Sequence, residues 1–363
     1  MLNYDNPRLT LDSSDAPEAG SIHWRSPSNI AIVKYWGKHG LQLPRNPSLS
    51  LTLSAAFTET LLEYEMKDHD NGQVDLEFLF NEEPNEAFST KTRDFLNSLT
   101  GVFPFLKQLK LTLRTANSFP HSAGIASSAS SMSALALCLC SLEDVLFGTL
   151  SDASAYDQKA SWVARLGSGS ACRSIFPQAA VWGQTGLVPG SSDEYGTSVE
   201  AMLHPVFKTL HDDILIVSAD EKKVSSRAGH ALMDGNPYAA PRYEQARARL
   251  GMLLDALRAG DLETFGKIAE DEALTLHALM MSSNPSYLLM QPNSLRIIEK
   301  IRDYRAQTKH PLYFTLDAGP NIHLIYPEEI ISDVRGFIET DLRGLCENGW
   351  IIDDWVGDGP EEV

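Results

Sequence analysis

The sequence has few cysteines and a deficit of basic residues. Its four cysteines are Cys138, Cys140, Cys172 and Cys346. The first two lie two positions apart in an apolar stretch, a spacing that suits neither a disulfide nor a metal site, so we expect reduced thiols in a cytoplasmic protein. Acidic side chains outnumber Lys and Arg by 48 to 30, for a formal net charge of -18. This charge argues against nucleic acid as a partner, because a phosphate backbone requires a basic face.

Targeting features are also missing. Residues 1–5 lack the basic segment and apolar run of a secretory signal, and we expect no apolar run to span a bilayer. No membrane partner is therefore expected. Residues 1–20 are polar and contain Pro and Gly, which predicts a loose N-terminal arm.

The length of 363 residues allows two domains. Short alternating segments dominate the first part of the chain. After about residue 205, three long helical stretches follow one another, at about 242–259, 262–280 and 294–308. We therefore expect an N-terminal domain over 21–205 and a C-terminal domain over 206–363.

The stretch Ser118–Met132 consists largely of Ser, Ala and Gly. It follows an alternating segment that predicts a strand, and it leads into an apolar helix. A helix N-terminus carries unpaired N–H groups and a partial positive charge, and small side chains let a phosphate approach it. The loop has no Lys, so it is not the GxxxxGK[ST] type. The hydroxyls of Ser127 and Ser128 are candidates for holding phosphate oxygens or a magnesium ion; the alternative is a helix start that merely packs tightly.

A second small-residue turn, Gly167–Ser174, follows a helix predicted at about 157–166. It carries one arginine, Arg173, whose planar fork suits a carboxylate or a phosphate. The alternative is a surface arginine near a turn.

Two lysines follow a predicted buried strand, Ile30–Val33. Lys34 and Lys38 lie beside two aromatic residues, Tyr35 and Trp36. They are either active-site cations or solvated side chains.

Alternating segments at 46–53, 58–65 and 74–80 predict three strands of an antiparallel or mixed sheet with one solvated face. Near the C-terminus two apolar strands are joined by a tight turn, Asp317–Asn321. Asp317 ends the first of them. It is either a turn-forming aspartate or a functional one that the strand holds stiffly.

Five segments together resemble the signature blocks of the mevalonate diphosphate decarboxylase family, within the GHMP kinase superfamily. They cover nearly the whole chain, and as a set they are highly specific. The segments are Asn29–Lys38, Phe119–Ala129, Gly167–Ser174, Val224–Ser226 and Asp317–Asn321.

The resemblance implies the α+β GHMP kinase fold. An N-terminal ribosomal-protein-S5-like α/β domain with a left-handed crossover would precede a C-terminal ferredoxin-like α+β domain, with the ligand cleft between them. It also implies a homodimer, and ATP and Mg²⁺ as cofactors. In the implied reaction ATP phosphorylates the 3-hydroxyl of 5-diphosphomevalonate, after which the 3-phosphate and carbon dioxide leave and isopentenyl diphosphate, ADP and phosphate form.

The resemblance assigns three residues to catalysis. Asp317 matches the catalytic aspartate, which accepts or orients the proton of the tertiary hydroxyl. Lys34 matches a lysine whose charge offsets the transferring oxygens and keeps Asp317 ionised. Arg173 matches the arginine that aligns the substrate carboxylate for loss of carbon dioxide.

Further residues match binding positions of the family. Tyr35 and Lys38 match residues that hold the diphosphate, and the hydroxyls around the substrate are those of Ser168, Ser170 and Ser226. The nucleotide phosphate loop matches Gly124, Ala126, Ser127 and Ser128, with Ser128 also a candidate for contact with phosphate-bound magnesium.

The sequence departs from the family pattern at several positions. His121 replaces a threonine, Ser131 a glycine and Pro47 a serine. The family arginine that binds the substrate diphosphate is matched here by Lys91, with Arg93 nearby, and a lysine is a point charge rather than a fork.

Because Lys91 stands in place of that arginine, the alternative remains that the substrate carries one phosphate and the protein is a mevalonate 5-phosphate decarboxylase. Two further activities fit the same fold: a mevalonate 3-kinase that stops after phosphoryl transfer, and nucleotide binding without catalysis. The presence of Asp317, Lys34 and Arg173 argues against both of these.

Overall fold

The computed structural model describes residues 2–12, 19–68, 71–119, 125–220 and 226–363, the side chains of residues 226 and 227 excepted. Within these residues the strands are β1 (Gly20–Val33), β2 (Lys38–His39), β3 (Leu43–Pro44), β4 (Ser48–Met66), β5 (Asp75–Phe80), β6 (Glu83–Pro84), β7 (Leu109–Asn117), β8 (Ala179–Trp182), β9 (Gly196–Ser198), β10 (Leu210–Leu215), β11 (Tyr313–Thr315), β12 (Ile322–Pro327), β13 (Ile351–Ile352) and β14 (Glu361–Glu362). The α-helices are α1 (Glu86–Ser98), α2 (Ser127–Phe147), α3 (Ala153–Gly167), α4 (Pro205–Lys208), α5 (Ser226–Ala231), α6 (Ala239–Ala259), α7 (Leu262–Met281), α8 (Pro292–Thr308) and α9 (Ile331–Phe337).

The first sheet has eight strands in the order β14-β1-β4-β7-β5-β6, and β8 and β9 continue from β4. The pair β5–β7 is parallel, whereas β4 pairs antiparallel with β1, β7 and β8. The predicted mixed sheet is thus confirmed. Helices α2 and α3 pack on this sheet and share its apolar core, in which Leu111, Leu135 and Val163 are buried.

The segments predicted as two strands, 46–53 and 58–65, form one 19-residue strand, β4. Its first residues, Ser48–Leu53, are buried on both faces, and alternation begins only beyond them. The cause is tertiary packing: Leu49 and Leu51 share a core with Leu253 of α6 and Phe265 of α7. The predicted solvated face is therefore wrong for this half of the strand.

The second sheet is formed by strands β11-β12-β10-β13, all paired antiparallel. The three long helices predicted from the sequence are confirmed as α6, α7 and α8. Ile297 and Ile301 of α8 pack against Phe314 and Leu324 of the sheet, because apolar residues four apart lie on one helix face. Strand β10 begins at Leu210.

The C-terminal segment returns from the second sheet to the first. The Asp354 carboxylate accepts hydrogen bonds from the backbone N–H groups of Ser54, Ala55 and Ala56 at 2.8, 2.7 and 2.8 Å. Strand β14 then pairs with β1. This segment ties the two sheets together.

The structure bears on two expectations, a loose N-terminal arm and the absence of an apolar run that spans a bilayer. Residues 2–12 are not a loose arm: Leu9 is 2% exposed, and the Tyr4 ring packs on Trp162 with 5.1 Å between centroids. Helix α2 is long and apolar enough to cross a membrane by length and composition. However, 67% of its most apolar window is buried inside the protein, as is typical of a core helix.

Candidate active site

Lys34 and Asp317, which are 283 positions apart in sequence, meet between the two sheets. Lys34 Nζ lies 2.8 Å from Asp317 Oδ1 and also donates to the carbonyl of Ala31 at 2.6 Å. The lysine side chain is 2% exposed and that of the aspartate 25%. The carboxylate is thus reachable from one side, while the ammonium group is held behind it.

The turn after β11 presents Asp317 as the sequence predicts. The N–H of Gly319 donates to the Asp317 carbonyl at 2.8 Å, and His277 Nε2 lies 3.1 Å from the same oxygen. Asn321 fastens the end of the turn, because its Oδ1 accepts from the N–H groups of Val217 and Ser218. The turn is therefore stiff, which suits a residue that must hold a fixed geometry.

Arg173 is not a surface arginine but one of the largest fully buried side chains. Its Nη1 donates to Ser48 Oγ at 2.6 Å and its Nη2 to Asn29 Oδ1 at 3.3 Å. Its Nε has no hydrogen-bond partner among the described residues. Burial lowers the pKa of this guanidinium, partly offset by Cys172 and Tyr35. A buried cation with a spare N–H group fits an anionic ligand such as a carboxylate.

Tyr35 lies inside an aromatic cluster beside Arg173. Its ring stacks on His230 and meets Trp182 edge-on, with centroid distances of 4.7 Å in both cases, and burial raises the pKa of its hydroxyl. Lys38 Nζ lies 5.8 Å from the centre of the Tyr35 ring. The structure thus brings Tyr35, Lys38 and Arg173 together.

The segment Gly167–Ser174 contains a 3-10 helix, Gly169–Arg173, after helix α3, which begins four residues before its predicted start. A Cβ on Gly169 would lie 2.5 Å from the Trp182 ring, so only glycine allows this close approach. The Ser170 carbonyl accepts from Asn29 Nδ2 at 3.2 Å. Both predicted substrate hydroxyls here, those of Ser168 and Ser170, are partly exposed.

The two small-residue segments meet at Ser128 and Ser168, whose Oγ atoms are 3.1 Å apart. The helix α2 begins after Ala126, whose φ of 49° lies in the left-handed region that costs a non-glycine residue energy. No side-chain hydrogen bond from the described residues caps the start of α2. A 21-residue helix whose first turn carries small side chains and no such cap fits a phosphate group.

Several predicted residues are described only in part or lie at the edge of the site. Gly124 lies outside the described residues, as does His121, and the side chain of Ser226 is not described. Lys91 is exposed on α1, with its Nζ 5.9 Å from the Phe88 ring centre. Phe95, one helical turn further on, lies against the segment at Gly167. Lys91 is therefore on the helix next to the site, with its ammonium group facing solvent.

Among the described residues, no group of three or more His, Cys, Asp or Glu could hold a metal ion. The hydroxyls near the start of α2 are the donors closest in character to those that magnesium prefers. Such a site fits an ion that is bound mainly through the phosphates of a nucleotide. All four cysteines are free and buried.

Sequence reasoning missed several residues that hold the site together, namely Asn29, Glu272, Arg242, His277 and His230. Glu272 and Arg242 lie inside predicted helices, where an ion pair between helices leaves no local pattern. The one available signal is that Glu272 has apolar neighbours on a helix face that would be buried, where a carboxylate is rare.

Comparison with known proteins connects this site to a family. The profile of the diphosphomevalonate decarboxylase-like N-terminal domain matches residues 26–193, and that of the mevalonate 5-diphosphate decarboxylase C-terminal domain matches residues 213–348. The diphosphomevalonate decarboxylase of Eremothecium gossypii is 30% identical over 345 residues, which cover 90% of this chain and 82% of that protein.

Solved structures agree with this match. One, described as MDDEF in complex with MVAPP, AMPPCP and magnesium, has a TM-score of 0.79 and 28% identity, covering 95% of this chain and 99% of the other. A structure of the mevalonate diphosphate decarboxylase from Enterococcus faecalis has the same TM-score, identity and coverage. The predicted two-domain GHMP kinase fold is thereby confirmed, and the chain belongs to the diphosphomevalonate decarboxylase family.

Proposed function

We propose that Asp317, Lys34 and Arg173 carry out the reaction of this family, the ATP-dependent decarboxylation of mevalonate diphosphate. The observation that carries the proposal is the contact of Lys34 Nζ with Asp317 Oδ1, at 2.8 Å, between the two sheets. The buried guanidinium of Arg173 is close enough for the Asp317 carboxylate to oppose the lowering of its pKa by burial.

Asp317 orients the 3-hydroxyl of the substrate and accepts its proton as the phosphoryl group is transferred. Its carboxylate is 25% exposed on the substrate side, so a hydroxyl can reach it. Lys34 offsets the negative charge on the transferring oxygens from a buried position, where its charge is weakly screened by water. Its bond to the Ala31 carbonyl directs the ammonium group toward the aspartate.

Arg173 holds the carboxylate of the substrate. With one bond from Nη1 to Ser48 and one from Nη2 to Asn29, the guanidinium plane is fixed, and its remaining N–H groups bind the ligand. Loss of carbon dioxide requires the breaking C–C bond to align with the departing 3-phosphate, and a fixed fork provides that alignment. The electron pair of that bond forms the double bond of isopentenyl diphosphate.

The start of α2 binds the phosphates of ATP. Support comes from the small side chains there, the absence of a side-chain cap among the described residues and the relative that binds AMPPCP, an ATP analogue, with magnesium. Ser127 and Ser128 present hydroxyls to the phosphates, and Ser168 closes the site from the second segment. The hydroxyls of Ser127 and Ser128 would help to hold magnesium, which would be bound mainly through the nucleotide phosphates and would supply positive charge beside them.

We also propose that Tyr35, Lys38, Ser170, Ser226 and Lys91 bind the substrate, that the substrate carries two phosphates, and that the protein is a cytoplasmic homodimer divided into domains near residue 205. The MVAPP complexes of a relative support the diphosphate. The dimer rests on family resemblance, and sedimentation at several concentrations tests it.

The experiment that tests the catalytic roles is Asp317→Asn, which removes the base while conserving shape. Turnover falls by about 10²- to 10⁴-fold, which is what a positioned general base contributes. Binding of AMPPCP with magnesium, measured by calorimetry, stays within about threefold because the phosphates bind elsewhere. A variant that retains close to wild-type turnover contradicts the role of Asp317.

A further inference from the structure

The backbone of Lys34 lies outside the hydrogen-bond ladder of the sheet. Strand β1 ends at Val33, and the Lys34 residue is 2% exposed. Buried N–H and C=O groups that leave a ladder require other partners, because water cannot reach them. The two polar backbone atoms of this lysine must therefore be bonded by side chains or backbone from elsewhere in the fold.

The N–H and the carbonyl of Lys34 are both bonded by one ion pair, between Arg242 of α6 and Glu272 of α7. The Lys34 N–H donates to Glu272 Oε2 at 2.9 Å, and the Lys34 carbonyl accepts from Arg242 Nη2, also at 2.9 Å. Arg242 in turn binds Glu272 through both terminal nitrogens, at 2.6 and 2.5 Å. The carbonyl receives a further bond from Asn46 Nδ2 at 3.1 Å. A closed ring of hydrogen bonds thus surrounds one peptide segment.

The ion pair is fully buried, with Glu272 0% and Arg242 3% exposed. Arg249 Nη1 donates a fourth hydrogen bond to the Glu272 carboxylate, at 2.8 Å. Burial acts to raise the pKa of the Glu272 carboxyl, but the hydrogen bonds from Arg242 and Arg249 hold it below its ordinary value. Removing charges from water is costly, and an apolar pair of similar size is often equally stable. Stability alone therefore does not account for this pair.

Helix α7, which carries Glu272, also contacts Asp317. His277 of α7 lies with its Nε2 3.1 Å from the Asp317 carbonyl. Helix α7 thus bonds to the backbone of Lys34 through Glu272 and to the backbone of Asp317 through His277. The side chains of these two residues then meet at 2.8 Å.

We propose that the Glu272–Arg242 ion pair is a positioning element. It fixes the main chain of Lys34, so that the ammonium group of Lys34 stays within hydrogen-bond distance of the Asp317 carboxylate. The inference rests on the proposed roles of Lys34 and Asp317. It assigns Glu272 and Arg242 no contact with substrate.

The test compares, in the full-length protein, two ion pairs whose acidic residues lie on α7: the buried Arg242–Glu272 pair and the partly exposed Arg305–Glu270 pair. The first variant, Arg242→Met with Glu272→Leu, removes both charges and the bonds to Lys34. The control, Arg305→Met with Glu270→Leu, removes a pair whose acid lies two residues away on α7 and in which Arg305 binds Glu270 through both terminal nitrogens, away from Lys34. A third variant, Arg242→Lys, keeps the charge but lacks the fork that reaches both Glu272 and the Lys34 carbonyl.

We expect the first variant to lower kcat at least about tenfold relative to the control, at comparable unfolding midpoints in urea. The KM for ATP and the affinity for AMPPCP with magnesium stay within about threefold, because the α2 end of the site is untouched. The kcat of Arg242→Lys is expected to lie between those of the double variant and the control. This variant tests the same hydrogen bonds if the double variant does not fold. A kcat close to that of the control for both the double variant and Arg242→Lys overturns the inference.

Failure of the proposed function gives a different result. If Lys34 and Asp317 are not catalytic, Asp317→Asn remains active, whereas a failed positioning role leaves Asp317→Asn inactive and the ion-pair variants active.

Discussion

The two small-residue segments of the site use their polar groups in opposite ways. In the segment around Arg173, hydrogen bonds are satisfied within the protein: Asn29 binds the Ser170 carbonyl, Ser174 Oγ and Arg173 itself. At the start of α2 no side chain of the described residues caps the helix, and Ser128 is exposed. The polar groups of the first segment are thus mostly bonded within the protein, with N–H groups of Arg173 left over. Within the described residues, the second segment leaves the N–H groups at the start of α2 without a side-chain cap.

This difference indicates what each segment is built to bind. A carboxylate that must lose carbon dioxide along one direction requires a fixed partner, and fixed partners are those already held by their neighbours. The phosphates of a nucleotide are bound by many N–H groups and an ion, so each hydroxyl contributes little. Substitutions should therefore affect turnover on the first side and nucleotide binding on the second.

The largest effect that sharpens this comparison is expected from Arg173→Lys. A lysine keeps the charge but cannot form the bonds to Ser48 and Asn29 in one plane, so the carboxylate loses its alignment. Release of carbon dioxide falls by about 10²-fold, a loss typical of removing one oriented donor, while AMPPCP affinity is unchanged. Arg165→Lys is the matched control, since Arg165 is 3% exposed and bonds to the carbonyls of Leu41 and Glu194. An equal loss in both variants contradicts the role of Arg173.

A smaller effect of the opposite kind is expected from Ser128→Ala. Loss of one hydrogen bond to a charged phosphate, about 1.5 kcal/mol where many N–H groups share the anion, raises the KM for ATP by about tenfold. The kcat stays within about twofold, because the catalytic residues are untouched. The control is Ser131→Ala one turn further along α2, whose hydroxyl bonds to the Ser127 carbonyl. A fall in kcat without a change in the KM for ATP contradicts the assignment of the α2 segment to nucleotide binding.

The smallest effect on activity is expected far from both segments, at Asp213. Burial raises the pKa of this carboxyl to about 6, although the hydrogen bond from Tyr326 opposes the shift. The folded state therefore keeps its proton where the unfolded chain, with a pKa of about 3.9, has lost it. The contribution of this group to stability is full below about pH 4 and is lost as the pH rises to about 6.

Asp213→Asn removes that dependence. Between about pH 4 and pH 7 the free energy of unfolding of the wild type falls relative to the variant by up to about 3 kcal/mol, at about 1.4 kcal/mol per pKa unit. Urea titrations at the two pH values measure the difference, and kcat at about pH 7 remains unchanged. An equal pH dependence in both proteins contradicts the raised pKa.

Much of the site could be predicted from the sequence, because its residues lie in short segments whose local pattern is informative. Lys34, Arg173 and Asp317 each follow or end a segment whose periodicity predicts a strand or helix. The contact between Lys34 and Asp317 could be expected only from family resemblance, since their 283-residue separation leaves no periodic signal. The predicted surface alternative for Arg173 is wrong, as is the predicted break in β4, because burial by distant helices overrides local pattern.

The supporting network could not be predicted. Glu272 and Arg242 are typical polar helix residues in sequence, and only the docking of α6 and α7 against the end of β1 places them around Lys34.

The most direct test of the account is to measure carbon dioxide and ADP release side by side, with ATP and magnesium and either 5-diphosphomevalonate or 5-phosphomevalonate. We predict equal amounts of both products with the diphosphate and little of either with the monophosphate. Release only with the monophosphate contradicts the assigned substrate and directs attention to Lys91. ADP without carbon dioxide contradicts the decarboxylase mechanism and the role of Arg173.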